Sequence, residues 1–135
     1  MENIRFASKE HEAFYSEMLV VTRNRDTFHK AFFYTMGISA ETRSHIRTLF
    51  DFKKDGIKPE GLSAAWQTGS TRRLCRLAFN LWNGWTEDGK ENRSTPYELF
   101  DCSFALYFFE AIRLLYPEYC RSLERTTPHL SRTER

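Results

Sequence analysis

The sequence is poor in residues that break regular structure and in features that mark secreted or membrane proteins. It has only 6 Gly and 4 Pro among 135 residues, which argues against a disordered, fibrous or low-complexity chain. Its 3 Cys are an odd number without Cys-x-x-Cys spacing, so we expect reduced thiols and no disulfide framework. The longest wholly apolar run, 104–109, is too short to span a membrane, and the N-terminus lacks the apolar core of a signal peptide. These features predict a cytoplasmic protein without a membrane partner.

The sequence also lacks a net charge over most of its length. The last 15 residues hold four Arg and two Glu, which accounts for the whole formal charge of +2. Residues 1–120 therefore balance 16 basic against 16 acidic groups, so a broadly basic nucleic-acid binder is not expected. One local exception stands out, because residues 61–86 contain three arginines and no acidic residue.

Helical periodicity runs through nearly the whole chain, and no strand pattern competes with it. Apolar residues recur at helical spacing after candidate N-cap residues, which are Ser8, Asp26, Ser39 and Ser70. Gly37 and Gly84 mark two expected helix ends. The pattern predicts several short to medium helices that bury one face each.

The strongest helix start lies at Thr95-Pro96-Tyr97-Glu98, which has the pattern of a capping box with proline in the first turn. The segment that follows, 96–116, is apolar on most sides, which is typical of the buried centre of a bundle. We therefore predict an all-α, compact single-domain bundle of five or six helices with this apolar helix at its centre. The domain is expected to span 1–124, and 125–135 to form a flexible polar C-terminal tail.

Familiar metal and phosphate motifs do not fit the sequence. The stretch 51–56 resembles the start of a calcium loop, but Lys53 stands at a ligand position and Leu62 replaces the final glutamate. Gly69 is not followed by the lysine of a phosphate-binding P-loop. Histidines on three predicted helices have no second ligand at helical spacing; they are His11, His29 and His45. We therefore predict no metal, no cofactor and no catalytic residue.

One stretch has the pattern of an anion site at a helix start. Gly69 allows the backbone to approach a ligand closely, and Ser70 and Thr71 offer hydroxyl groups beside the free N–H groups of a first helical turn. Arginines in the same turn run against the helix dipole and can bind phosphate through charge-assisted hydrogen bonds. The predicted ligand-binding residues are Gln67, Gly69, Ser70, Thr71, Arg72, Arg73 and Arg76.

Three tryptophans near this stretch in the sequence are predicted to stack on a base: Trp66, Trp82 and Trp85. The same residues also have a purely structural interpretation, which the sequence leaves open. In it, Ser70 is an ordinary N-cap, the arginines form a solvated face, and the tryptophans belong to the core.

A DNA-binding interpretation of the same region also stays open. Residues 62–78 can be arranged as a helix-turn-helix, with Ala65 in the first helix and Gly69 in the turn. The second helix would then present its arginines to a DNA groove. The neutral charge of residues 1–120 makes nucleic acid the less favoured partner, because DNA affinity depends on many phosphate contacts.

Two longer stretches and one short motif resemble a known family of proteins. They are Trp66-Gln67-Thr68-Gly69-Ser70 with Arg76-Leu77-Ala78-Phe79-Asn80-Leu81-Trp82-Asn83-Gly84, then Tyr97-Glu98-Leu99-Phe100-Asp101 with Phe108-Phe109-Glu110-Ala111-Ile112 and Tyr116-Pro117-Glu118-Tyr119, and the early Phe6-x4-His11-x2-Phe14-Tyr15. Across residues 4–120 the chain resembles an uncharacterised family of short proteins from Gram-positive bacteria and their phages and mobile elements.

The resemblance implies a context and no activity: an accessory protein, in the cytoplasm of the host cell if it is phage-encoded. Small phage accessory proteins often evade host immunity by binding a defence protein or by sequestering a nucleotide signal. By this analogy we expect a non-catalytic counter-defence factor that sequesters a phosphate-bearing nucleotide signal at the helix start near Ser70.

Two other functions stay open beside this one. An inhibitor could bind a host defence enzyme through an aromatic patch, and a regulator could bind DNA through residues 62–78. The aromatic content, 12 Phe, 6 Tyr and 3 Trp, is generous for a small core. We therefore also expect an aromatic interface that makes the protein a homo-oligomer.

Overall fold

The structure is a computed structural model that describes residues 3–120, and it is mainly helical. Its α-helices are α1 (Lys9–Thr22), α2 (Thr27–Gly37), α3 (Ala40–Ser44), α4 (Gly69–Asn83), α5 (Pro96–Leu99), α6 (Phe108–Leu115) and α7 (Pro117–Cys120). Short 3-10 helices lie between them at Ile46–Thr48, Pro59–Ser63, Glu91–Ser94 and Ser103–Tyr107. The predicted all-α fold class is confirmed. The predicted tail, 125–135, lies outside the described residues.

The helix starts follow from short polar side chains that accept hydrogen bonds from the first turn. The hydroxyl of Ser8 accepts from the backbone N–H of His11 at 3.0 Å, and Oδ1 of Asp26 accepts from the N–H of His29 at 2.8 Å. Ser39 caps α3 in the same way. These three N-caps were predicted, and they satisfy backbone donors that a helix start would otherwise leave unpaired.

Helix α2 is the centre of the fold. Every residue from 31 to 39 is buried, and Phe32, Phe33 and Tyr34 are fully removed from solvent. The helix packs against α1, α4 and α6. Each aromatic ring buried in this way contributes about 1.5–3 kcal/mol relative to exposure, so α2 supplies much of the driving force for folding.

The structure corrects the prediction of one apolar helix over 96–116 at the centre of the bundle. This segment divides into α5, a 3-10 helix and α6, and the chain is extended at Cys102, where φ is −163°. The flanking Asp101 and Ser103 are exposed polar residues of the type that favours turns and caps over helix interiors. Only one face of the segment is buried, and α2 takes the central place. The described residues accordingly contain seven α-helices, against the five or six predicted.

A very short hairpin lies between α3 and α4. Strand β1 (Phe50–Asp51) pairs antiparallel with β2 (Gly56–Ile57), with Phe50 opposite Ile57. Strands of two residues are too short to carry an alternating pattern, which is why the sequence did not predict them. The hairpin places the ring of Phe50 against Phe32, 5.1 Å between ring centroids, and so closes one side of the core.

The start of α4 differs from the prediction by two residues. Thr68, not Ser70, is the N-cap, because Thr68 and Thr71 form a reciprocal capping box. The N–H of Thr71 donates to Oγ1 of Thr68 at 3.1 Å, and the N–H of Thr68 donates to Oγ1 of Thr71 at 2.8 Å. The end of α4 was predicted correctly, since Gly84 closes it with φ of 81°, a left-handed conformation that favours glycine.

Candidate functional site

An open cleft of about 610 Å³ lies against the first half of α4. We call it the arginine cleft and define it by its charged lining residues, which are Arg72, Arg73, Arg76, Glu87, Arg93 and Glu98. Four arginines face two glutamates, so the lining carries a positive excess. Three of these arginines belong to the site predicted from the sequence.

The helical period explains why the α4 residues meet in the cleft. Gly69, Arg72, Arg73 and Arg76 are three, four and seven residues apart, which places them on one face of a helix. The other side of α4 is apolar and turns into the core, where Leu74 and Ala78 are fully buried. The burial of that side therefore fixes the direction in which the arginines project.

Arg76 is neutralised by a carboxylate from the loop after α4. Its Nε donates to Oε1 of Glu87 at 2.7 Å, and only 12% of the Arg76 side chain is exposed. The second oxygen of Glu87, Oε2, lies 3.8 Å from Nη1 of Arg93. Glu87 therefore bridges two arginines of the cleft.

Arg73 connects α4 to α5. Its Nε donates to the backbone carbonyl of Glu98 at 2.9 Å, and its Nη1 donates to the carbonyl of Gly69 at 3.3 Å. Its Nη2 lies 3.9 Å from Asp101, whose side chain is 83% exposed, so water weakens this ion pair. The contacts to backbone carbonyls hold the wall of the cleft in place and leave the positive charge of Arg73 largely uncompensated.

Arg72 contacts the backbone but forms no ion pair among the described residues. Its Nε donates to the carbonyl of Leu62 at 3.1 Å. Among residues 3–120, no carboxylate lies within ion-pair distance of its guanidinium group. A guanidinium group that is fixed by one backbone contact and lacks a counter-ion is suited to hold a phosphate or carboxylate of a ligand.

Three of the predicted anion-binding residues do not line the cleft. Gln67 and Thr71 are buried, and the hydroxyl of Thr71 donates to Oε1 of Gln67 at 2.6 Å. The amide of Gln67 in turn donates to the carbonyl of Gly61 at 3.1 Å. Ser70 is partly buried in the first turn of α4 and is not a lining residue. These polar groups connect the start of α4 to the preceding turn.

Gly69 does line the cleft. The sequence indicated that its backbone freedom would matter there, but the structure does not use that freedom. It is the first residue of α4, and its backbone is not in the left-handed region. A Cβ added there would meet no atom closer than Nη1 of Arg73, at 3.4 Å. Its small size opens space in front of the helix start.

The three tryptophans point to different parts of the molecule and do not line the arginine cleft. The Trp66 ring stacks on His45, with 4.3 Å between centroids and 9° between planes. The Trp82 ring packs edge-on against Phe50, with 5.3 Å between centroids, and Trp85 packs against Phe79. The structure therefore does not bring them together with the arginines.

Three lining residues were not predicted: Glu87, Arg93 and Glu98. Residues 85–94 are mostly polar, and acidic residues in such a stretch, here Glu87 and Asp88, are usually solvated. In the structure a 3-10 helix, Glu91–Ser94, packs back on α4 and brings Arg93 to the cleft. Thr95 follows this 3-10 helix directly and is the N-cap of α5. It is the one local sequence signal that regular structure begins again after the polar loop.

The structure does not arrange residues 62–78 as two α-helices around a turn, while DNA binding itself stays a prediction. Residues 62–78 begin in the 3-10 helix Pro59–Ser63, and Ala64 is extended with ψ of 148°. Within residues 62–78 the only α-helix is α4, so no α-helix precedes the turn there. The arginines of α4 line the arginine cleft.

A smaller cleft of about 330 Å³ lies near the start of α2 and is lined by His29, Asp26, Asp55 and Trp82, among others. Nδ1 of His29 lies 2.8 Å from Oδ1 of Asp26, and Nε2 lies 2.9 Å from Oδ1 of Asp55. Burial acts to lower the pKa of His29, but the hydrogen bonds and charges of Asp55 and Asp26 outweigh burial and raise it. The carboxylates therefore stabilise a doubly protonated ring that joins α2 to the hairpin.

Cys75, the buried cysteine of α4, is not an activated thiol. Burial raises the pKa of its thiol to about 12, against a weaker opposite effect of the hydrogen bond from Gln67. A thiol with such a pKa carries almost no thiolate at neutral pH, so it is a poor nucleophile.

The comparisons with known proteins give one match. A family model matches residues 1–128, which is nearly the whole chain. The chain belongs to the Family of unknown function (DUF6075). No curated protein and no solved structure matches it. The expectation of a family without an assigned activity is confirmed, and its Gram-positive and phage setting stays a prediction.

For this DUF6075 protein the arginine cleft is the part of the described structure best suited to bind a ligand. Its lining includes four guanidinium groups that donate hydrogen bonds to anions, and no histidine or cysteine. The arrangement can bind, orient and neutralise an anionic group. In the described residues, no helix is both long enough and apolar enough to cross a membrane.

Proposed function

We propose that this protein is a non-catalytic binding protein that holds a phosphate-bearing nucleotide in the arginine cleft. The observation that supports this function best is the convergence of Arg72, Arg73, Arg76 and Arg93 on one cleft of about 610 Å³. Small-molecule sites have volumes of about 300–1,000 Å³, so the cleft has room for a nucleotide. Its positive excess favours a ligand with several negative charges.

Two further features support phosphate as the group that is bound. Arg72 lies beside the cleft without a carboxylate partner among the described residues, and its planar fork matches two oxygens of one phosphate. The cleft also reaches Gly69, the first residue of the 15-residue helix α4, where the helix dipole adds partial positive charge. Stacking on a tryptophan is not part of the proposal, because the tryptophans lie elsewhere.

The biological role in the proposal is sequestration of a nucleotide signal of host immunity by a phage-encoded protein. This part comes from the resemblance to phage and mobile-element proteins. A binding protein suits the role because it removes a signal by holding it and needs no chemical step. The arginine cleft supports the role because it is open to solvent and its lining carries a positive excess.

Isothermal titration calorimetry of the full chain against a nucleotide panel tests the function. The panel contains cyclic dinucleotides, ADP-ribose-type signals and simple nucleoside phosphates. We expect at least one to bind, and Arg72→Ala to weaken it by about tenfold or more, since a charged hydrogen-bond pair contributes about 1.5–3 kcal/mol. Arg25→Ala, which removes an exposed arginine outside the cleft, is the matched control and should leave binding unchanged.

Two outcomes contradict the proposal. One is that no panel member binds the folded protein. The other is that Arg72→Ala binds the ligand as tightly as the wild type, which would show that the ligand binds outside the arginine cleft. Arg72 is the better target than Arg76, because loss of Arg76 leaves the Glu87 carboxylate without its nearest partner and perturbs the loop.

An inhibitor of a host defence enzyme is the second candidate, and exposed apolar side chains favour it. Tyr97, Leu106, Phe109 and Tyr119 are 72–87% exposed, and Phe109 packs its ring on Phe100 with 5.3 Å between centroids. Exposed aromatic side chains of this kind are enriched at protein interfaces. This function predicts partner binding that Phe109→Asp abolishes and Arg72→Ala leaves intact.

A further inference from the structure

Glu87 lies where an anionic group of a ligand would be held. Its two carboxylate oxygens face different arginines, with Oε1 2.7 Å from Nε of Arg76 and Oε2 3.8 Å from Nη1 of Arg93. The side chain of Glu87 is 22% exposed and that of Arg76 is 12% exposed. One carboxylate of the chain itself therefore contacts two of the four arginines of the cleft and offsets one of their two positive charges.

The loop that carries Glu87 lies between two glycines in left-handed conformations. Gly84 has φ of 81° and Gly89 has φ of 75°, and a Cβ added to either would meet no atom within 4 Å. The loop is anchored at its start, where the carbonyl of Trp85 accepts a hydrogen bond from Asn80 at 3.2 Å. Beyond Trp85, the backbone carbonyl of Glu87 accepts a hydrogen bond from the N–H of Lys90 at 3.0 Å. Among the described residues, the polar contacts of the Glu87 carboxylate are those to Arg76 and Arg93. Charge, more than packing, keeps this carboxylate in the cleft.

An internal carboxylate competes with any ligand for the same arginines. Because it is tethered, its effective concentration is in about the millimolar range, so a ligand group must bind better than a carboxylate to displace it. A ligand carboxylate or phosphodiester offers one negative charge, the same as Glu87, so it gains little by displacing Glu87 from the arginines. A phosphomonoester carries about −1.5 to −2 charges and three acceptor oxygens, so it can satisfy both arginines at once.

We propose that Glu87 is an internal competitor that makes the arginine cleft selective for terminal phosphate groups over carboxylates and phosphodiesters. This inference rests on the proposed function and narrows its ligand class to nucleotides with a phosphomonoester or diphosphate group. Ligand binding then displaces the Glu87 carboxylate from Arg76 and Arg93.

Calorimetry with two matched probe pairs tests the selectivity. AMP and 3′,5′-cyclic AMP share base and sugar and differ in monoester against diester, and inorganic pyrophosphate and malonate differ in phosphoryl against carboxyl groups. For the wild type we expect AMP and pyrophosphate to bind about tenfold or more tightly than their partners, a difference of about 1.4 kcal/mol. Equal affinities within both pairs would overturn the inference.

The variant Glu87→Gln removes the competing charge and keeps the size of the side chain. It should bind pyrophosphate about tenfold more tightly than the wild type and discriminate less between pyrophosphate and malonate. Asp88→Asn, at the exposed neighbouring position, is the matched control and should behave as the wild type. Unchanged pyrophosphate affinity in folded Glu87→Gln would show that Glu87 does not compete.

A measurement on the wild type alone covers the case in which Glu87→Gln folds poorly. The second ionisation of a phosphomonoester lies near a pKa of about 6, whereas a phosphodiester carries one charge throughout. AMP affinity should rise from about pH 5.5 to about pH 7.5, and cyclic AMP affinity should stay flat over that range. Parallel pH profiles would overturn the inference.

The two proposals fail in different ways. Binding of pyrophosphate that Arg72→Ala weakens, with no effect of Glu87→Gln, supports the proposed function and overturns the role of Glu87. No binding of any of the four probes overturns the role of Glu87 alone if a member of the nucleotide panel still binds in a way that Arg72→Ala weakens. No binding of any probe or any panel member to wild type or Glu87→Gln, with both proteins folded by circular dichroism, overturns both proposals.

Discussion

His11 donates a hydrogen bond from Nε2 to the backbone carbonyl of Tyr34, with 2.7 Å between the two atoms. Its other ring nitrogen, Nδ1, accepts from the N–H of Ala7 at 3.0 Å, so the ring carries its single proton on Nε2. The side chain is fully buried. Burial lowers the pKa of His11 to about 4, although the hydrogen bond to Tyr34 acts to raise it. The neutral ring is thus part of the folded core.

This buried neutral ring predicts a loss of stability in mild acid. The pKa of the histidine is 6.5 in the absence of the fold and about 4 within it, so the unfolded chain binds more protons between these values. The free energy of unfolding should therefore fall as pH falls from about 6.5 to about 4, by on the order of 3 kcal/mol from His11. Urea denaturation at a series of pH values measures the effect.

The variant His11→Gln separates this contribution from that of the carboxylates. It removes the titrating ring, so the slope of stability against pH between about 4 and 6.5 should become smaller than in the wild type. Asp26, whose pKa is also lowered, keeps its own contribution in both proteins: burial acts to raise that pKa, and the hydrogen bonds from His29 outweigh it. Identical slopes would mean that His11 is already protonated in the folded state.

His29 predicts the opposite dependence at higher pH. Its pKa is raised because the carboxylates of Asp26 and Asp55 outweigh the effect of burial. The stability that this cluster contributes is fully present below 6.5, the pKa without the fold, and is lost as pH rises through the raised value. His29→Asn should therefore cost about 1–2 kcal/mol at pH near 6 and clearly less at pH near 9. Chemical denaturation at both pH values decides it, and an equal cost at both would contradict the charged ring.

Two helix glycines give a matched prediction about packing. A Cβ on Gly37, at the end of α2, would lie 2.6 Å from Cδ2 of His11, a ring that both of its nitrogens hold in place. Gly37→Ala should therefore destabilise the protein by about 1–3 kcal/mol. Gly69→Ala meets only the end of the Arg73 side chain at 3.4 Å and should be neutral or stabilising by up to about 1 kcal/mol. Thermal unfolding of the two variants compares them directly.

The exposed aromatic side chains predict self-association. Phe109 on α6 is 73% exposed and Leu106, three residues before it, is 72% exposed, so both side chains are available for a contact between two copies of the protein. We expect a homo-oligomer at micromolar concentration by light scattering, and a monomer for Phe109→Asp. Val20→Asp, at a 69% exposed position on α1, serves as the control. A wild-type protein that is already monomeric would contradict this expectation.

Local signals predicted much of the fold, and tertiary packing decided the rest. Ser8, Asp26 and Ser39 cap helices as expected, because an N-cap needs only one side chain and the backbone next to it. The centre of the bundle was predicted wrongly. Helix α2 is buried although it contains the polar residues His29 and Thr35. The hydroxyl of Thr35 donates to the carbonyl of Ala31 at 2.7 Å, so it keeps a hydrogen bond inside the core.

Part of the candidate site also follows from local sequence signals, and part depends on tertiary packing. The shared face of Arg72, Arg73 and Arg76 follows from the helical period, so sequence reasoning found it. The period also separates Trp82 from them, since Trp82 follows Arg73 by nine residues, or two and a half turns, and lies on the opposite side of α4. Glu87 and Arg93 enter through the return of a loop, for which the sequence has no periodic signal.

The complete burial of residues 31–39 has a consequence for the order in which the molecule opens. Amide hydrogens of residues 31–37 in α2 can reach solvent only when α1, α4 and α6 separate from it, so they should exchange with deuterium at the rate set by global unfolding. The amides of α5 and α7, with one helical turn each, should exchange much earlier. The exchange rates of these α2 amides therefore report the global free energy of unfolding. In the same exchange experiment, they serve as the reference for any slower exchange that a ligand causes around the arginine cleft.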